Sequence, residues 1–209
     1  MSKRSLRVGV AGLLTSVVAG TALAAAPAQA AHEPGTRSLA TLLAKDKGFD
    51  RNRQDFDILE AAVKAVLKAK PNSPVGVLAK GNTRVTAFLP TDGAFRWLVR
   101  DLTGRSYNAE SSVFKKLAST VDIDTIEAVL LYHVIAGKTI DSKGVIARDD
   151  KAVRTALGPT FIVRVQKNRI VLSDRDGDAR NPIILKTDIN KGNKQIGHAI
   201  DRVLRPVNL

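Results

Sequence analysis

The sequence predicts an α+β domain, because helical patterns fill its first half and strand patterns its second half. In residues 55–68, apolar side chains recur at three- and four-residue steps, as in an amphipathic helix. From residue 153 onward the apolar period changes to two, as in half-buried strands, and residues 85–89 add one early strand. This order favours a mixed β-sheet with helices packed against it over a parallel sheet in which strands and helices alternate.

Length and composition indicate one folded domain. The chain has 209 residues, of which 44% are hydrophobic, so it can bury a substantial core. It contains no cysteine, which excludes disulfide bonds and a thiol nucleophile. Its formal net charge of +13 could attract anionic cell-wall polymers, sulfated glycans or nucleic acid, but the basic residues are scattered, which favours solubility with weak affinity for anions.

The first 30 residues have the pattern of a cleaved secretory signal peptide. Lys3, Arg4 and Arg7 precede an uncharged, mostly apolar run over residues 8–26, and Ala28-Gln29-Ala30 matches an A-x-A cleavage site. An uncleaved membrane anchor is the alternative, since the run is nearly long enough to span a bilayer. We expect cleavage, and with it a bacterial protein that is secreted, extracellular or loosely associated with the cell wall, without stable membrane insertion.

Residues 31–48 are predicted to form a mobile lead-in with one short helix behind Ser38, and the domain itself is predicted over residues 49–206. Residues 1–30 contain three basic and no acidic residues, so their removal lowers the net charge from +13 to +10.

The first half of the domain is predicted to be mainly helical. Pro71 ends the longest helix, and Asp122 or Asp124 caps the last one. The predicted helical pieces are residues 55–68, 75–79, 113–117 and 125–133, with a loop over residues 101–111.

A strand-to-helix corner interrupts this half. Pro90 lacks a backbone N–H and therefore ends the strand of residues 85–89. Thr91 or Asp92 then caps a helix that carries Trp97, the only tryptophan of the chain.

The second half is predicted to consist of strands. Alternation in residues 161–166 and the apolar residues 170–172 flank Lys167-Asn168, which indicates a tight hairpin. The other extended segments are residues 135–140, 183–186 and 199–204, and residues 173–181 form a charged turn.

Three stretches, taken together, resemble the signatures of fasciclin-like domains, in the family's order. They are TAFLPTDGAF at residues 86–95, LLYHVIAG at residues 130–137 and HAIDRVLRP at residues 198–206. The resemblance implies a compact wedge of mixed β-sheet with helices packed against it, in secreted or surface-attached proteins that act in adhesion and are not enzymes as a class.

The resemblance also implies particular site residues. It places His133 beside the corner formed by Pro90, Thr91 and Asp92, and it makes Tyr132 and His133 a candidate contact with a partner. Two departures from the family pattern stand out: Leu89 replaces the usual alanine, and an extra glycine, Gly197, precedes His198.

His133 has two interpretations that the sequence leaves open. It is either part of a recognition surface with Tyr132, or a buried histidine whose ring bonds neighbouring groups and locks two elements together. The second interpretation is favoured. Thr91, Asp92, Tyr132 and His133 are therefore candidate partner-contact or junction residues.

No pattern in the sequence predicts catalysis, a cofactor or a metal. There is no G-x-S-x-G motif and no metal-like spacing of the three histidines, and His198 and Asp201 are expected on opposite faces of one strand. Asp174, Asp176 and Asp178 alternate as in calcium loops, but Gly and Glu are missing from the positions where an EF-hand requires them, which favours a solvated turn.

The function that these observations favour is a secreted, non-catalytic binding or adhesion module. Its expected partner is a cell-surface or matrix protein or an anionic polysaccharide, and not a nucleic acid, since aromatic residues are not interleaved with the basic ones. Two alternatives are a purely structural module of the envelope or matrix, and a carrier of a small molecule or glycan in a groove near Trp97.

Overall fold

The computed structural model of the chain describes residues 33–45 and 48–209. The predicted signal peptide, residues 1–30, lies outside the described residues. Among the described residues, no helix is both long and apolar enough to cross a membrane.

The described residues form six α-helices and one 3-10 helix. These are α1 (Leu39–Leu43), α2 (Asp57–Ala69), α3 (Asp92–Thr103), α4 (Glu110–Thr120), α5 (Ile123–Tyr132) and α6 (Ser142–Ile146), with the 3-10 helix at Pro74–Ala79. Four of the α-helices have a capping residue directly before them: Ser38 for α1, Thr91 for α3, Asp122 for α5 and Asp141 for α6. Each capping side chain accepts a hydrogen bond from the backbone N–H three residues later.

Seven strands among the described residues form two sheets. They are β1 (Val85–Pro90), β2 (Val134–Ala136), β3 (Ala152–Arg154), β4 (Thr160–Gln166), β5 (Arg169–Ser173), β6 (Ile184–Ile189) and β7 (Gln195–Ile200). The first sheet has the order β2-β1-β7-β6 and the second the order β3-β4-β5. β1 and β7 are parallel neighbours in the centre of the first sheet, and all other pairs are antiparallel.

β1 separates two clusters of buried apolar side chains. Ala87 and Leu89 belong to the larger cluster, which also contains the apolar faces of α1 to α5. Phe88 belongs to the smaller cluster, with Phe161 and Leu172 of the second sheet. Because successive strand residues point to opposite faces, β1 is covered on both sides and every one of its residues is buried.

The predicted fold class is confirmed: helices lie mainly in the first half and strands in the second. The capped helix after Thr91 and the hairpin at Lys167-Asn168 are also confirmed, with Lys167 at a φ of 49°. Several boundaries were wrong. α3 continues to Thr103, β2 ends at Ala136 instead of residue 140, and β6 continues to Ile189 instead of residue 186. α4 begins at Glu110, inside the predicted loop, and the closing strand covers Gln195–Ile200 instead of residues 199–204. Polar residues in β7 hide its strand character, because Gln195 and His198 are fully buried there.

Candidate functional site

The corner between β1 and α3 is a buried junction. Pro90 is the last residue of β1, and the N–H of Thr91 donates to the carbonyl of Ile200 at 3.2 Å. The hydroxyl of Thr91 accepts a hydrogen bond from the N–H of Ala94 at 3.4 Å, and only 3% of Thr91 is exposed. Thr91 therefore joins the start of α3 to the end of β7.

Asp92 connects the starts of two helices. Its Oδ1 accepts a hydrogen bond from the N–H of Ile58 in α2 at 2.9 Å, and the residue is completely buried. Burial, followed by a hydrogen bond with Asp55, raises the pKa of Asp92 to about 8. Asp92 is therefore protonated at neutral pH and can share its proton with the Asp55 carboxylate.

Three buried carboxyl groups converge beside this junction. One oxygen from each of Asp55, Asp92 and Glu110 lies within 4.8 Å of the others. Such oxygens could hold a hard cation such as Ca²⁺. The guanidinium of Arg96, however, lies 3.0 Å from Glu110, and Asp92 carries a proton. Arg96 thus compensates the charge of Glu110 from within the chain, and the proton neutralises Asp92.

Tyr132 and His133 are buried at the end of α5, with 0% and 3% of each residue exposed. The Tyr132 hydroxyl donates to the carbonyl of Thr160 at 2.9 Å. The Nε2 of His133 accepts a hydrogen bond from the N–H of Leu204 at 2.9 Å, so Nδ1 carries the proton and donates to the carbonyl of Val129 at 2.7 Å. Burial lowers the pKa of His133 to about 4, so the ring is neutral at physiological pH.

His133 joins all three signature stretches through hydrogen bonds. Its carbonyl accepts a hydrogen bond from the N–H of Phe88 in β1 at 2.9 Å, while its ring binds Leu204 in the closing stretch. The ring thus bonds the closing stretch, and the contact with the first stretch is made by the His133 backbone at Phe88. Contact of Thr91, Asp92, Tyr132 or His133 with a partner stays a prediction. Such a contact would require the buried side chain to become exposed.

His198 and Asp201 have separate structural partners. The ring Nε2 of His198 lies 2.9 Å from the carbonyl of Ile140, and burial lowers the pKa of His198. Asp201 lies beyond the end of β7, and its Oδ1 accepts a hydrogen bond from the N–H of Ile183 at 2.6 Å. The described hydrogen bonds therefore do not join them in a dyad.

The loop that contains Asp174, Asp176 and Asp178 is only partly the solvated turn that the sequence favoured, since Gly177 and Asp178 are exposed but Asp176 is not. Asp176 is buried, and its carboxylate pairs with Nη1 of Arg205 at 3.0 Å. Oδ1 of Asp176 also accepts hydrogen bonds from the N–H groups of Asp178 and Ala179. An arginine 29 residues away in sequence thus organises this loop.

The Fasciclin domain family model matches residues 57–206, well over half of the chain. The chain belongs to the fasciclin domain family. Fasciclin domains are in general adhesion-type modules, not enzymes, and are typically extracellular or secreted.

A solved structure agrees with this fold. The FAS1 domain pair of the insect cell adhesion molecule Fasciclin I matches with a TM-score of 0.56 and 15% sequence identity. The match covers 81% of this chain and 51% of that one, and at this identity it supports the fold alone. No curated protein matches the chain.

The surface of this fasciclin domain has an exposed aromatic side chain at Trp97, which is 42% exposed. The guanidinium carbons of Arg202 and Arg100 lie 4.1 and 5.2 Å from its ring centroid, as in cation–π contacts. A cavity of about 400 Å³ adjoins it, with Arg180 and Asp178 in its lining.

Two buried polar residues that hold the domain together do not stand out in the sequence. The Gln195 side chain accepts from the N–H of Leu39 and donates to the carbonyls of Val77 and Lys80, all at 2.8 or 2.9 Å. Arg205 pairs with carboxylates from two distant segments. The only sequence signal for Arg205 is its place within the closing signature, since its partners are brought near it by the fold.

Proposed function

We propose that this fasciclin domain is a secreted, non-catalytic binding or adhesion module that contacts surface proteins or anionic polysaccharide of the cell envelope or matrix. Its membership of a family of adhesion-type modules supports binding over catalysis, and this is the observation that carries the proposal. The net charge of +10 that remains without the signal segment favours an anionic partner.

The burial of the junction residues moves the expected contact to other parts of the surface. Thr91, Asp92, Tyr132 and His133 are each at most 3% exposed, so their hydrogen bonds serve the fold. Basic side chains, in contrast, are exposed on several elements. Examples are Lys64, Lys68, Lys115, Lys167, Arg169 and Lys191.

Chromatography on an anionic polysaccharide tests the proposal. We expect the domain without residues 1–30 to be retained on a heparin resin at low ionic strength and to elute at moderate salt, because salt screens exposed charges. An uncharged agarose resin is the control. Passage through the heparin resin at low salt would contradict an anionic polysaccharide as partner.

A carrier role at Trp97 is the second candidate, since an exposed indole beside a cavity of about 400 Å³ can contact a sugar or another small molecule. Fluorescence of this single tryptophan reports on that site alone. A saturable change on titration with oligosaccharides would favour the carrier role. If neither this titration nor the heparin resin shows binding, the purely structural alternative is favoured.

A further inference from the structure

We propose that a second pocket, beside β2 and β3, binds a sugar unit that carries a carboxylate or sulfate group, within an acidic polysaccharide. This proposal rests on the proposed function and gives its anionic partner a defined place. The pocket, called the basic pocket below, has a volume of about 440 Å³. That volume lies within the range of small-ligand sites, roughly 300–1,000 Å³.

Four basic side chains line the basic pocket: Lys138, Arg148, Lys151 and Arg154. No carboxylate belongs to the described residues that line it. Lys138, Lys151 and Arg154 are exposed and Arg148 is half-buried, so an entering ligand can reach these charges. Lysine and arginine are charged at neutral pH, and four positive charges at one cavity attract an anion more strongly than the same charges spread over the surface.

The carboxylates nearest in sequence have other partners. Asp141 caps α6 by accepting a hydrogen bond from the N–H of Gly144 at 2.8 Å. Oδ1 of Asp149 accepts from the N–H of Val165 at 2.7 Å. Asp150 pairs with Arg164 at 3.0 Å. The three carboxylates of this segment thus bind groups that do not line the pocket.

Two of the basic groups donate hydrogen bonds within the chain. Nζ of Lys151 donates to the carbonyl of Ala147 at 3.2 Å. The Nη1 of Arg148 donates to the carbonyl of Gly144, in the last turn of α6, which fixes the guanidinium and leaves further N–H groups for a ligand. Planar guanidinium groups bind carboxylate or sulfate oxygens in pairs, whereas lysine acts as a point charge. Arg148 and Arg154 therefore suit an oxyanion with two or three oxygens.

The apolar part of the lining favours a sugar over a free inorganic ion. Ile135, Ile140 and Val153 are buried beneath the pocket, and Ala136 and Ala152 are exposed beside them. Apolar side chains with a few polar groups are typical of sites for organic ligands. The C–H face of a sugar ring can cover this apolar surface while its acidic group contacts the basic side chains. An inorganic ion alone would leave the apolar surface uncovered.

Charge-matched variants of the domain test the site. The pocket variant combines Lys138→Gln, Lys151→Gln and Arg154→Gln, all exposed, and keeps Arg148 for its contact with α6. The control variant combines Lys68→Gln, Lys115→Gln and Arg169→Gln, which are exposed and remove the same charge. The probe is a fluorescently labelled heparin hexasaccharide, whose binding is followed by anisotropy. Thermal unfolding checks that both variants are folded.

We expect the pocket variant to bind the hexasaccharide at least about tenfold more weakly than wild type, since each charge-assisted hydrogen bond contributes a large part of that factor. The control variant should lose no more than about threefold, the effect of the changed net charge. Equal losses in both variants would overturn the pocket while leaving an anion-binding function in place. Absence of binding by the wild type would overturn the proposed polysaccharide partner as well.

Competition distinguishes the sources of the anion. Unlabelled heparin hexasaccharide should displace the probe, whereas inorganic phosphate and sulfate at the same ionic strength should not, and neutral cellohexaose should have no effect. Displacement by phosphate or sulfate at concentrations similar to the hexasaccharide would overturn the assignment to a sugar.

Discussion

His133 and Asp92 are buried titratable residues whose pKa values are shifted so that both side chains are neutral in the fold. Burial lowers the pKa of His133 to about 4, and burial together with Asp55 raises that of Asp92 to about 8. Each side chain bonds backbone groups of distant segments, Leu204 and Ile58 respectively. A neutral side chain avoids the high cost of an unpaired buried charge, which suits both residues to a structural position.

Replacing His133 should lower stability and change its pH dependence. In the unfolded chain His133 titrates near pH 6.5, and in the fold near pH 4. Its contribution is therefore fully present above pH 6.5 and is lost as the pH falls through 4, an effect of about 3 kcal/mol for a shift of this size. We expect the free-energy difference between wild type and His133→Ala, from urea unfolding, to shrink between pH 6.5 and 4.

A variant without a titratable change provides the control. Val129→Ala shortens a buried side chain in α5, the helix that ends just before His133, and should lower stability by a similar amount at each pH. The stabilising contribution of Asp92 has the opposite pH dependence, because it declines as the pH rises from 4 to 8. It is the same in all three proteins, so it cancels when the free energy of unfolding of each variant is subtracted from that of wild type. An unchanged melting temperature of His133→Ala would contradict the structural role.

Two departures from the family signature compensate each other between β1 and β7. Leu89 occupies a position where alanine is usual, and a Cβ atom added to Gly197 would lie 2.6 Å from its Cδ1. Leu89 is 2% exposed and packed in the larger core, so it has little room to move away. The larger side chain on one strand is thus accommodated by the absence of a side chain on its parallel neighbour.

Which elements the sequence predicts depends on how far apart the interacting residues lie in the chain. α2 and the caps at Ser38 and Thr91 depend on residues within a few positions of each other, so periodicity and cap chemistry reveal them. The first residues of β7 escape prediction, because the partners of Gln195 are residues 115 to 156 positions away. The basic pocket escapes for the same reason, since it is lined by residues of β2 and β3, which belong to different sheets.

Gly197→Ala should destabilise the domain by about 1–3 kcal/mol, the usual cost of overpacking a core. Leu89→Ala alone should also destabilise it, by about 2–5 kcal/mol, because it leaves a cavity. The double variant should be more stable than the sum of the two losses predicts, since the shorter side chain at residue 89 makes room for the new methyl group. Urea unfolding of all four proteins measures this coupling. Strict additivity would contradict the proposed compensation.

At the scale of the whole molecule, Arg205 connects segments far apart in sequence. Its Nη2 lies 2.6 Å from Asp101 in α3, and its Nη1 lies 3.0 Å from Asp176 in the loop after β5. The backbone N–H of Arg205 also donates to Oδ2 of Asp174 at 2.8 Å. The helical first half and the strand-rich second half are thereby joined at the end of the family-matched region, residues 57–206.

The two ion pairs of Arg205 should differ sharply in their contribution. The Asp176 side chain is 2% exposed and the Asp101 side chain 41% exposed. Arg205→Leu leaves Asp176 as an uncompensated buried charge, so we expect a loss of about 3–5 kcal/mol in the free energy of unfolding. Asp101→Asn removes a partly solvated partner and should cost about 1 kcal/mol or less. Chemical denaturation at pH 7 compares the two variants with wild type. Equal losses would show that Arg205 stabilises the fold through its partly solvated pair with Asp101, which would contradict a buried link between the two halves.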